Sequence, residues 1–269
     1  MTPDAAYRFR IKLSNSQSWN LYSDEPTREW TERFAKIMNL SKGSSDEQSF
    51  SMTFGRNRAS TPISRSDVNV EVPANLCHKA DIYAMWRSIL PIYERAITSG
   101  GVPIHAALVE HEGNGYLLAA PGGTGKTTCC QRLPEGWKVL GDDETLLLLS
   151  QNGRSYNGHP FPTWSNFYLG RPLRDWEVER SCPIKGIYFL RQASIDSVEA
   201  LGQGISAALI YQASAQICRR IWKDLEIAGQ VKMKHQLFAL AGDVARQIPS
   251  FMLNVTLAGE FWHLLREAD

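Results

Sequence analysis

The hydrophobic pattern at the start of the chain predicts a small α+β domain. Apolar and basic residues alternate over 7–13, which is typical of a half-buried strand. Residues 23–26 combine a capping serine and aspartate with a proline, so a helix is expected from there to about Met38. We interpret residues 1–75 as this N-terminal domain and expect it to recognise a partner, because separate domains of this size usually do.

After residue 75 the pattern changes to apolar strands between helices. A helix is predicted over about 80–98, with a kink or a break at Pro91. Helices dominate again over 203–242, and a short strand and a last helix follow from 249. The strands between them are predicted at 102–109, 115–119, 137–140, 145–149 and 184–190. The second part, 76–269, is therefore predicted to be an α/β domain, a mixed sheet with flanking helices.

Composition and charge exclude several classes of protein. The chain has 269 residues, 43% of them hydrophobic, which is enough for one large or two modest domains. Its net charge of +1 favours neither nucleic acid nor an anionic membrane, and no apolar run approaches the ~20 residues of a membrane span. The five cysteines fit neither a metal site nor a disulfide framework. With no signal-peptide pattern at the start, we expect a cytoplasmic protein that binds no nucleic acid and no membrane.

A glycine-rich turn between a predicted strand and a predicted helix is the first candidate site. The turn and the start of the helix read Ala120-Pro121-Gly122-Gly123-Thr124-Gly125-Lys126-Thr127-Thr128. Such a turn, a Walker A phosphate loop, directs backbone N–H groups at phosphate oxygens. Lys126 would reach the β- and γ-phosphates, and the Thr127 hydroxyl would bind Mg²⁺. Ala120 stands where the first glycine is usual. The turn predicts a nucleoside triphosphate as ligand.

The acidic run 142–144 is the second candidate site. Asp142, Asp143 and Glu144 follow the predicted strand 137–140, at the strand end where open α/β sheets bind ligands. Phosphoryl transfer needs a metal at the phosphates and a group that positions the attacking hydroxyl, and two adjacent acids can divide these tasks. Neighbouring side chains of an extended segment point to opposite faces, so one acid of the pair is expected to face the γ-phosphate. An ordinary acidic turn is the alternative.

The order of His105, phosphate loop and Asp142-Asp143 resembles the catalytic core of HPr kinase/phosphorylase. It is also similar to HPr-kinase-like proteins encoded beside genes for modified peptides, and among these most similar to the ScmC family of cassette proteins. The resemblance implies an HPr-kinase-like P-loop fold with ATP and Mg²⁺. It implies that Lys126 binds phosphate, that Thr127 and Asp142 serve the metal, and that Asp143 is the base with His105 beside it. Without the resemblance, the alternative is that His105 is a partly buried histidine whose ring nitrogens have hydrogen-bond partners within the fold.

The sequence departs from the HPr kinase pattern at one metal ligand. Pro183 stands where that family has a Mg²⁺-binding glutamate, and Glu177 and Glu179 are the nearby acids. The second Mg²⁺ ligand therefore stays open. Four arginines are candidates for stabilising charge at the γ-phosphate, with solvated side chains as the alternative. They are Arg171, Arg174, Arg219 and Arg220. Residues 158–164 are expected to form a stiff aromatic loop that is part of an acceptor groove, a lid over the nucleotide, or a cover of the core.

These observations predict a Mg²⁺- and ATP-dependent kinase that transfers the γ-phosphoryl group to a hydroxyl, with a serine of a peptide or small protein as the first candidate. A kinase for a small-molecule hydroxyl is an alternative with the same chemistry. A protein that binds a nucleotide and a peptide or modifying enzyme, without catalysis, is an alternative of another class. The acceptor, the preference for ATP over GTP, reverse phosphorolysis and the oligomeric state, a homo-oligomer included, stay open.

Overall fold

The computed structural model describes residues 8–43, 49–55, 67–72, 78–164, 175–223 and 225–265. The chain packs as two compact units, and the first combines Met1–Ile92 with Pro162–Arg180. The second combines Tyr93–Phe161 with Ser181–Asp269. The predicted domains, 1–75 and 76–269, are each continuous in sequence, whereas each packing unit combines two separate segments. The predicted division stays a prediction.

The first unit contains a four-stranded sheet in the order β1-β2-β3-β4. β1 and β2 are antiparallel, whereas β2, β3 and β4 are parallel neighbours. The strands are β1 Arg8–Lys12, β2 Ser18–Ser23, β3 Phe50–Gly55 and β4 Asp67–Glu71. A short 3₁₀ helix, Glu25–Thr27, precedes helix α1, Arg28–Ile37. The predicted first strand and first helix are therefore confirmed, and the helix begins two residues after Pro26.

Aromatic side chains form the core of the first unit. Trp30 and Phe34, one helical turn apart on α1, are both buried and stack with ring centroids 5.5 Å apart. Phe34 also lies 5.6 Å from Phe54 of β3 and 5.9 Å from Trp164. The Trp30 indole donates to Asp81 Oδ1 at 2.7 Å, and Asp81 also pairs with Arg33. This buried carboxylate joins α1 to helix α2, His78–Thr98.

The second unit is mixed α/β, as predicted. Its described strands follow the order β5-β9-β10-β11-β7-β6-β8, and β13 pairs with both β11 and β12. The strands are β5 Val102–Ile104, β6 Ala106–His111, β7 Asn114–Ala119, β8 Trp137–Gly141, β9 Glu144–Leu149, β10 Tyr156–Phe161, β11 Cys182–Gln192, β12 Ser197–Ala200 and β13 Ser250–Val255. The helices are α3 Lys126–Arg132, α4 Gln203–Trp222 and α5 Ile227–Gln247. β7, β11 and β13 are parallel neighbours, so their carboxyl ends meet at one edge.

The predicted strand 102–109 is wrong in one respect, because it is interrupted at His105. β5 pairs with β9, and β6 pairs with β8, all antiparallel. The register continues across the interruption, with Ile104 opposite Thr145 on one side and Leu108 opposite Gly141 on the other. These four strands form a two-stranded ribbon, in which β5 and β6 are the two segments of one strand and β8 and β9 the two segments of the other. We call this unit the crossing ribbon. His105 lies at the break in one of its strands and Asp142-Asp143 at the break in the other.

Three further predictions of structure need correction. Residues up to Phe161 of the expected aromatic loop form strand β10, and Pro160 is tolerated there because β11 pairs only with Asn157 and Gly158. Helix α2 continues across Pro91 without a break. The expected last helix is a short 3₁₀ helix, Phe261–Leu265. No helix among the described residues is long and apolar enough to cross a membrane.

Candidate functional site

The glycine-rich turn forms an open loop between a buried strand and a short helix. β7 ends at Ala119, and α3 begins at Lys126. Gly123 and Gly125 have φ angles of 81° and 111°, values that side chains other than glycine rarely adopt. A Cβ added at either position, or at Gly122, would meet no atom within 4 Å. The loop therefore has an unobstructed face with room for a ligand against its backbone.

Lys126 connects this loop to the acidic turn. Its side chain is 6% exposed, and Nζ donates a hydrogen bond of 2.7 Å to the carbonyl oxygen of Ala120. The same nitrogen lies 3.7 Å from Asp143 Oδ1. Burial lowers the pKa of the Lys126 ammonium group, and the charge of Asp143 and its hydrogen bonding oppose that shift. A cation is thus held between the start of the loop and a carboxylate.

Asp143 is shared between Lys126 and His105. His105 Nε2 lies 2.8 Å from Asp143 Oδ1, and both side chains are partly exposed. Burial raises the pKa of Asp143, but the hydrogen bond and charge of His105, together with Lys126, outweigh burial and hold that pKa below its usual value. Asp143 is therefore a carboxylate at neutral pH, so Nε2 of His105 is the donor in this bond.

Helix α4 supplies the second partner of His105. Nδ1 of the ring hydrogen-bonds the side-chain amide of Gln216. The two atoms of an amide end group are told apart only by their hydrogen-bond partners. Gln216 can donate to a neutral ring, or accept from a ring that carries both protons. Gln216 therefore orients the imidazole and leaves its Nε2–H directed at Asp143.

Glu144 lies next to Asp143 in sequence and is buried at 3% exposure. Its Oε2 accepts from the Tyr93 hydroxyl at 3.0 Å, and its Oε1 lies 3.3 Å from Nη1 of Arg220 on α4. Burial raises the pKa of Glu144 to about 7, against the opposing effects of the Arg220 charge and the Tyr93 hydrogen bond. The three acids of the turn are thus in different environments, and Glu144 joins the ribbon to α2 and α4.

The structure brings together Lys126, Asp143 and His105 of the predicted site. The charge of Asp142 also acts on Lys126, so this half-buried acid lies at the same loop. Thr127 follows Lys126 at the start of α3 and is exposed. The other predicted loop residues line the turn and the first turn of the helix, half-buried or exposed. They are Pro121, Gly122, Gly123, Thr124, Gly125 and Thr128.

The two acids near Pro183 have partners within the first unit. Glu177 pairs with Arg180, and Glu179 accepts from the backbone N–H of Lys12, all within the first unit. Pro183 precedes Ile184, which lies opposite Gly115 at the other end of β7 from Ala119. This end is ~13 Å from the loop at the usual rise per residue, so a carboxylate at position 183 would not lie beside the loop.

Of the candidate arginines, Arg220 contacts the acidic turn through Glu144. Arg219, its neighbour on α4, is exposed, and Arg171 and Arg174 lie outside the described residues. The residues that sequence reasoning missed are Tyr93 and Gln216. The spacing between Gln216 and Arg220 is the available signal, because polar residues four apart on a helix share one face.

Donor chemistry at this loop fits a nucleotide with Mg²⁺. Within the described part of the chain, no cluster of three or more His, Cys, Asp or Glu residues could hold a metal by itself. Mg²⁺ in nucleotide sites is held by one or two protein oxygens together with phosphates and water. The Thr127 hydroxyl and the Asp142 carboxylate are oxygen ligands of this kind, at the loop that would hold the phosphates.

Comparison with known proteins identifies the family of this chain. A search of curated proteins found no similar sequence. The family model described as SynChlorMet cassette protein ScmC matches residues 68–268, which is well over half of the chain and includes every residue of the candidate site. The resemblance to ScmC expected from the sequence is therefore confirmed, and the chain belongs to the ScmC family of SynChlorMet cassette proteins.

Proposed function

We propose that this protein is a Mg²⁺- and ATP-dependent kinase of the HPr-kinase-like class that phosphorylates a hydroxyl, most simply a serine of a peptide or small protein. One observation carries the proposal. Asp143 lies 2.8 Å from His105 and 3.7 Å from Lys126, which begins the helix after an open glycine-rich loop. The carboxylate proposed to activate a hydroxyl therefore lies beside the lysine proposed to bind the phosphates.

The loop residues would hold the triphosphate. The backbone N–H groups of 122–127 would donate to phosphate oxygens, and Lys126 would exchange its bond to the Ala120 carbonyl for the β- and γ-phosphates. Thr127 and Asp142 would hold Mg²⁺, which offsets the charge that develops on the phosphates. Arg220 is held by Glu144 and therefore supports the acidic turn instead of the γ-phosphate.

Asp143 would act on the acceptor. The hydroxyl oxygen attacks the γ-phosphorus, its new bond forms as the bond to the β-phosphate oxygen breaks, and ADP leaves. The hydroxyl proton passes to Asp143. A carboxylate with a lowered pKa is a weak base, which suits a reaction whose catalysis rests mainly on positioning and electrostatic stabilisation. His105 would keep the carboxylate oriented through Nε2–H.

The family name supports a peptide or protein acceptor. A cassette protein is encoded with neighbours, and a modifying system with several components offers a gene-encoded acceptor. The alternative function is a nucleotide-binding partner without catalysis, supported by Ala120 at the first loop position and by Pro183 in place of a family metal ligand. Pro183 of β11 precedes Ile184, which lies opposite the end of β7 away from the loop, so this second argument is weaker than the sequence suggested.

A transfer assay tests the proposal. The protein is incubated with Mg²⁺, ATP labelled at the γ-phosphate and serine-containing peptides encoded beside its gene, and the peptide masses are read. A gain of one phosphate that is absent with Asp143→Asn supports the kinase. Tight ATP binding with no transfer to any peptide supports the binding partner. Transfer to a small hydroxyl compound alone supports the small-molecule kinase.

A further inference from the structure

The strands on either side of the phosphate loop indicate how a bound nucleotide is oriented in the site. β7 leads into the loop, with β6 of the crossing ribbon on one side and β11 on the other. The ribbon side holds His105 and Asp143, the groups that would act at the γ-phosphate. If the triphosphate lies as proposed above, on which this inference rests, its nucleoside end extends away from the ribbon, toward β11 and β13.

On that side the sheet extends beyond the start of the loop. Ala119, the last residue of β7, lies opposite Phe189 of β11, but β11 continues to Gln192, which pairs with Val255 of β13. The three extra residues add ~10 Å at the usual strand rise. The side-chain amide of Gln192 donates to the Thr124 carbonyl at 3.3 Å. The paired ends of β11 and β13 thus extend past the start of the phosphate loop, and β11 contacts that loop through Gln192.

The loops that follow β11 and β13 are held together. Asp196 Oδ1 accepts from the backbone N–H of Thr256 at 2.6 Å, and Ala193 N–H donates to the Val255 carbonyl at 3.0 Å. Arg132, the last residue of α3, donates to the carbonyls of Thr256 and Gly259. The phosphate-loop helix and both strand ends therefore share one hydrogen-bonded network.

Two large apolar side chains project from this network into solvent. Ile195, the residue before Asp196, is 75% exposed, and Leu257, the residue after Thr256, is 88% exposed. Their neighbours are bonded to each other, so Ile195 and Leu257 lie in adjacent loops beyond the ends of β11 and β13. Burial of such side chains against a ligand is favourable, by ~25 cal/mol per Å² of apolar area, and the flat face of a base is apolar enough to cover them.

We propose that Ile195 and Leu257 form the nucleobase subsite of the protein and contact the face of a purine whose triphosphate lies in the loop 120–127. Apolar side chains contact the face of a ring and do not distinguish the hydrogen-bonding groups on its edge. The subsite therefore accepts adenine and guanine nucleotides through the same contacts.

The test compares the affinity for a complete nucleotide with the affinity for inorganic triphosphate. Calorimetry measures the affinity of the full chain for ATP, GTP and inorganic triphosphate, with Mg²⁺ present, for the wild type, Ile195→Ser and Leu257→Ser. We expect each substitution to weaken ATP and GTP about tenfold and by similar factors, with triphosphate changed less than twofold. Ile227→Ser, at an 81% exposed isoleucine that starts α5, is the matched control and should change none of the three.

Two results would overturn the subsite. One is unchanged ATP and GTP affinity in both variants, and the other is an equal loss for triphosphate, which would mean that the loops and not the base contact had been disturbed. A wild type that binds ATP no more tightly than triphosphate also excludes a base subsite. A wild type that binds none of the three overturns the proposed function itself, so the two failures are distinguishable.

Discussion

His105 Nε2 and Asp143 Oδ1, 2.8 Å apart, lie at the two breaks of the crossing ribbon. The chain passes from β5 to β6 at His105 and from β8 to β9 at Asp143, so each side chain is carried by a bend in a paired strand. Residues at such bends leave the regular alternation of side chains along the strand, and here the two bends bring both side chains into contact. The pair therefore owes its geometry to strand pairing on both sides of the bends.

Replacement of Asp143 by asparagine should separate binding from transfer. Asparagine keeps the shape of the side chain but lacks the charge that orients and deprotonates the acceptor hydroxyl. We expect the transfer rate to fall at least ~100-fold, with ATP affinity within a few-fold of the wild type. Calorimetry and the labelled-phosphate assay give the two quantities.

Asp142→Asn is the matched control for this change. It should raise the Mg²⁺ concentration needed for half-maximal binding of ATP, because Asp142 is the proposed metal ligand and not the base. Full transfer by Asp143→Asn would exclude the assigned base, and equal behaviour of the two variants would exclude the division of tasks.

Replacement of Lys126 by methionine should abolish tight nucleotide binding. Methionine fills a similar volume, but it supplies no charge to the phosphates, so we expect ATP affinity to fall at least ~10-fold. The free energy of unfolding should stay the same or rise slightly, because a buried ammonium group carries a desolvation cost. Calorimetry and urea unfolding measure both. Lys138→Met, at a 63% exposed lysine of β8, is the control, and ATP binding by Lys126→Met at wild-type affinity would contradict the assignment.

Gln216 is expected to be a positioning residue for His105. Gln216→Leu removes the partner of Nδ1, so the ring is oriented from one side only, and we expect transfer to slow ~10-fold, as for other outer-shell partners, with the KM for ATP unchanged. Gln216→Glu supplies only an acceptor, so a hydrogen bond at Nδ1 then requires the ring nitrogen to be the donor.

Nitrogen NMR of the histidine rings reports the hydrogen-bonding state of the His105 ring nitrogens and needs no activity assay. The wild type and the two variants should give distinct His105 signals, and identical signals in all three would show that Gln216 does not set the state of the ring. A loss of activity with unchanged His105 signals would instead indicate a merely structural role.

Glu144 makes the stability of the fold depend on pH. Its pKa is about 7 in the folded protein against an ordinary value of 4.5, so the folded state holds a proton that the unfolded chain has released. Stability from this group is therefore lost as pH rises from 4.5 to 7, by at most ~1.4 kcal/mol per pH unit. Glu144→Gln removes the titrating group and should flatten this part of the profile.

Urea unfolding at pH 5.0 and 7.5 measures the effect. Asp143, whose lowered pKa acts in the opposite direction and below this window, is present in both proteins and cancels in the comparison. Arg220→Ala should raise the pKa of Glu144 further and extend the loss to higher pH, because Arg220 is the largest influence that favours the ionised form of Glu144. Parallel profiles for the wild type and Glu144→Gln would show that this carboxyl does not titrate in the window.

The sequence identified the loop and the acids because their local requirements are strict. Positive φ angles at Gly123 and Gly125 demand glycine, and the apolar run of β7 before them marks a strand end. The partners on α4 could not be found in this way. Helical periodicity indicates which face of a helix is buried, but it does not indicate what that face contacts. The contact of Gln216 with His105 therefore had no signal in the sequence, and Arg220, a candidate for the γ-phosphate, contacts Glu144 instead.

Other parts of the fold were missed for the opposite reason, since local signals pointed away from the observed structure. Gly158 and Pro160 are turn residues in most contexts, yet they lie in β10 because its ladder with β11 ends before the proline. The break at His105 has no clear local signal either, since 102–109 is a nearly continuous apolar run, as one buried strand would be. Pairing with two different strands, β9 and then β8, divides it.

The crossing ribbon also determines where the chain tolerates a change in length. His105 and Asp143 are 38 positions apart, but strand register sets their separation and the intervening chain does not. Residues inserted into the hairpin at Glu112 and Gly113, or between α3 and β8, leave that register intact. β8 already holds one extra residue at Leu140, since Gly141 lies opposite Leu108 but Val139 lies opposite Val109, and the pairing at Gly141 is kept. Homologues with longer loops, or with one more residue taken up at this bulge, can therefore keep the His105–Asp143 contact.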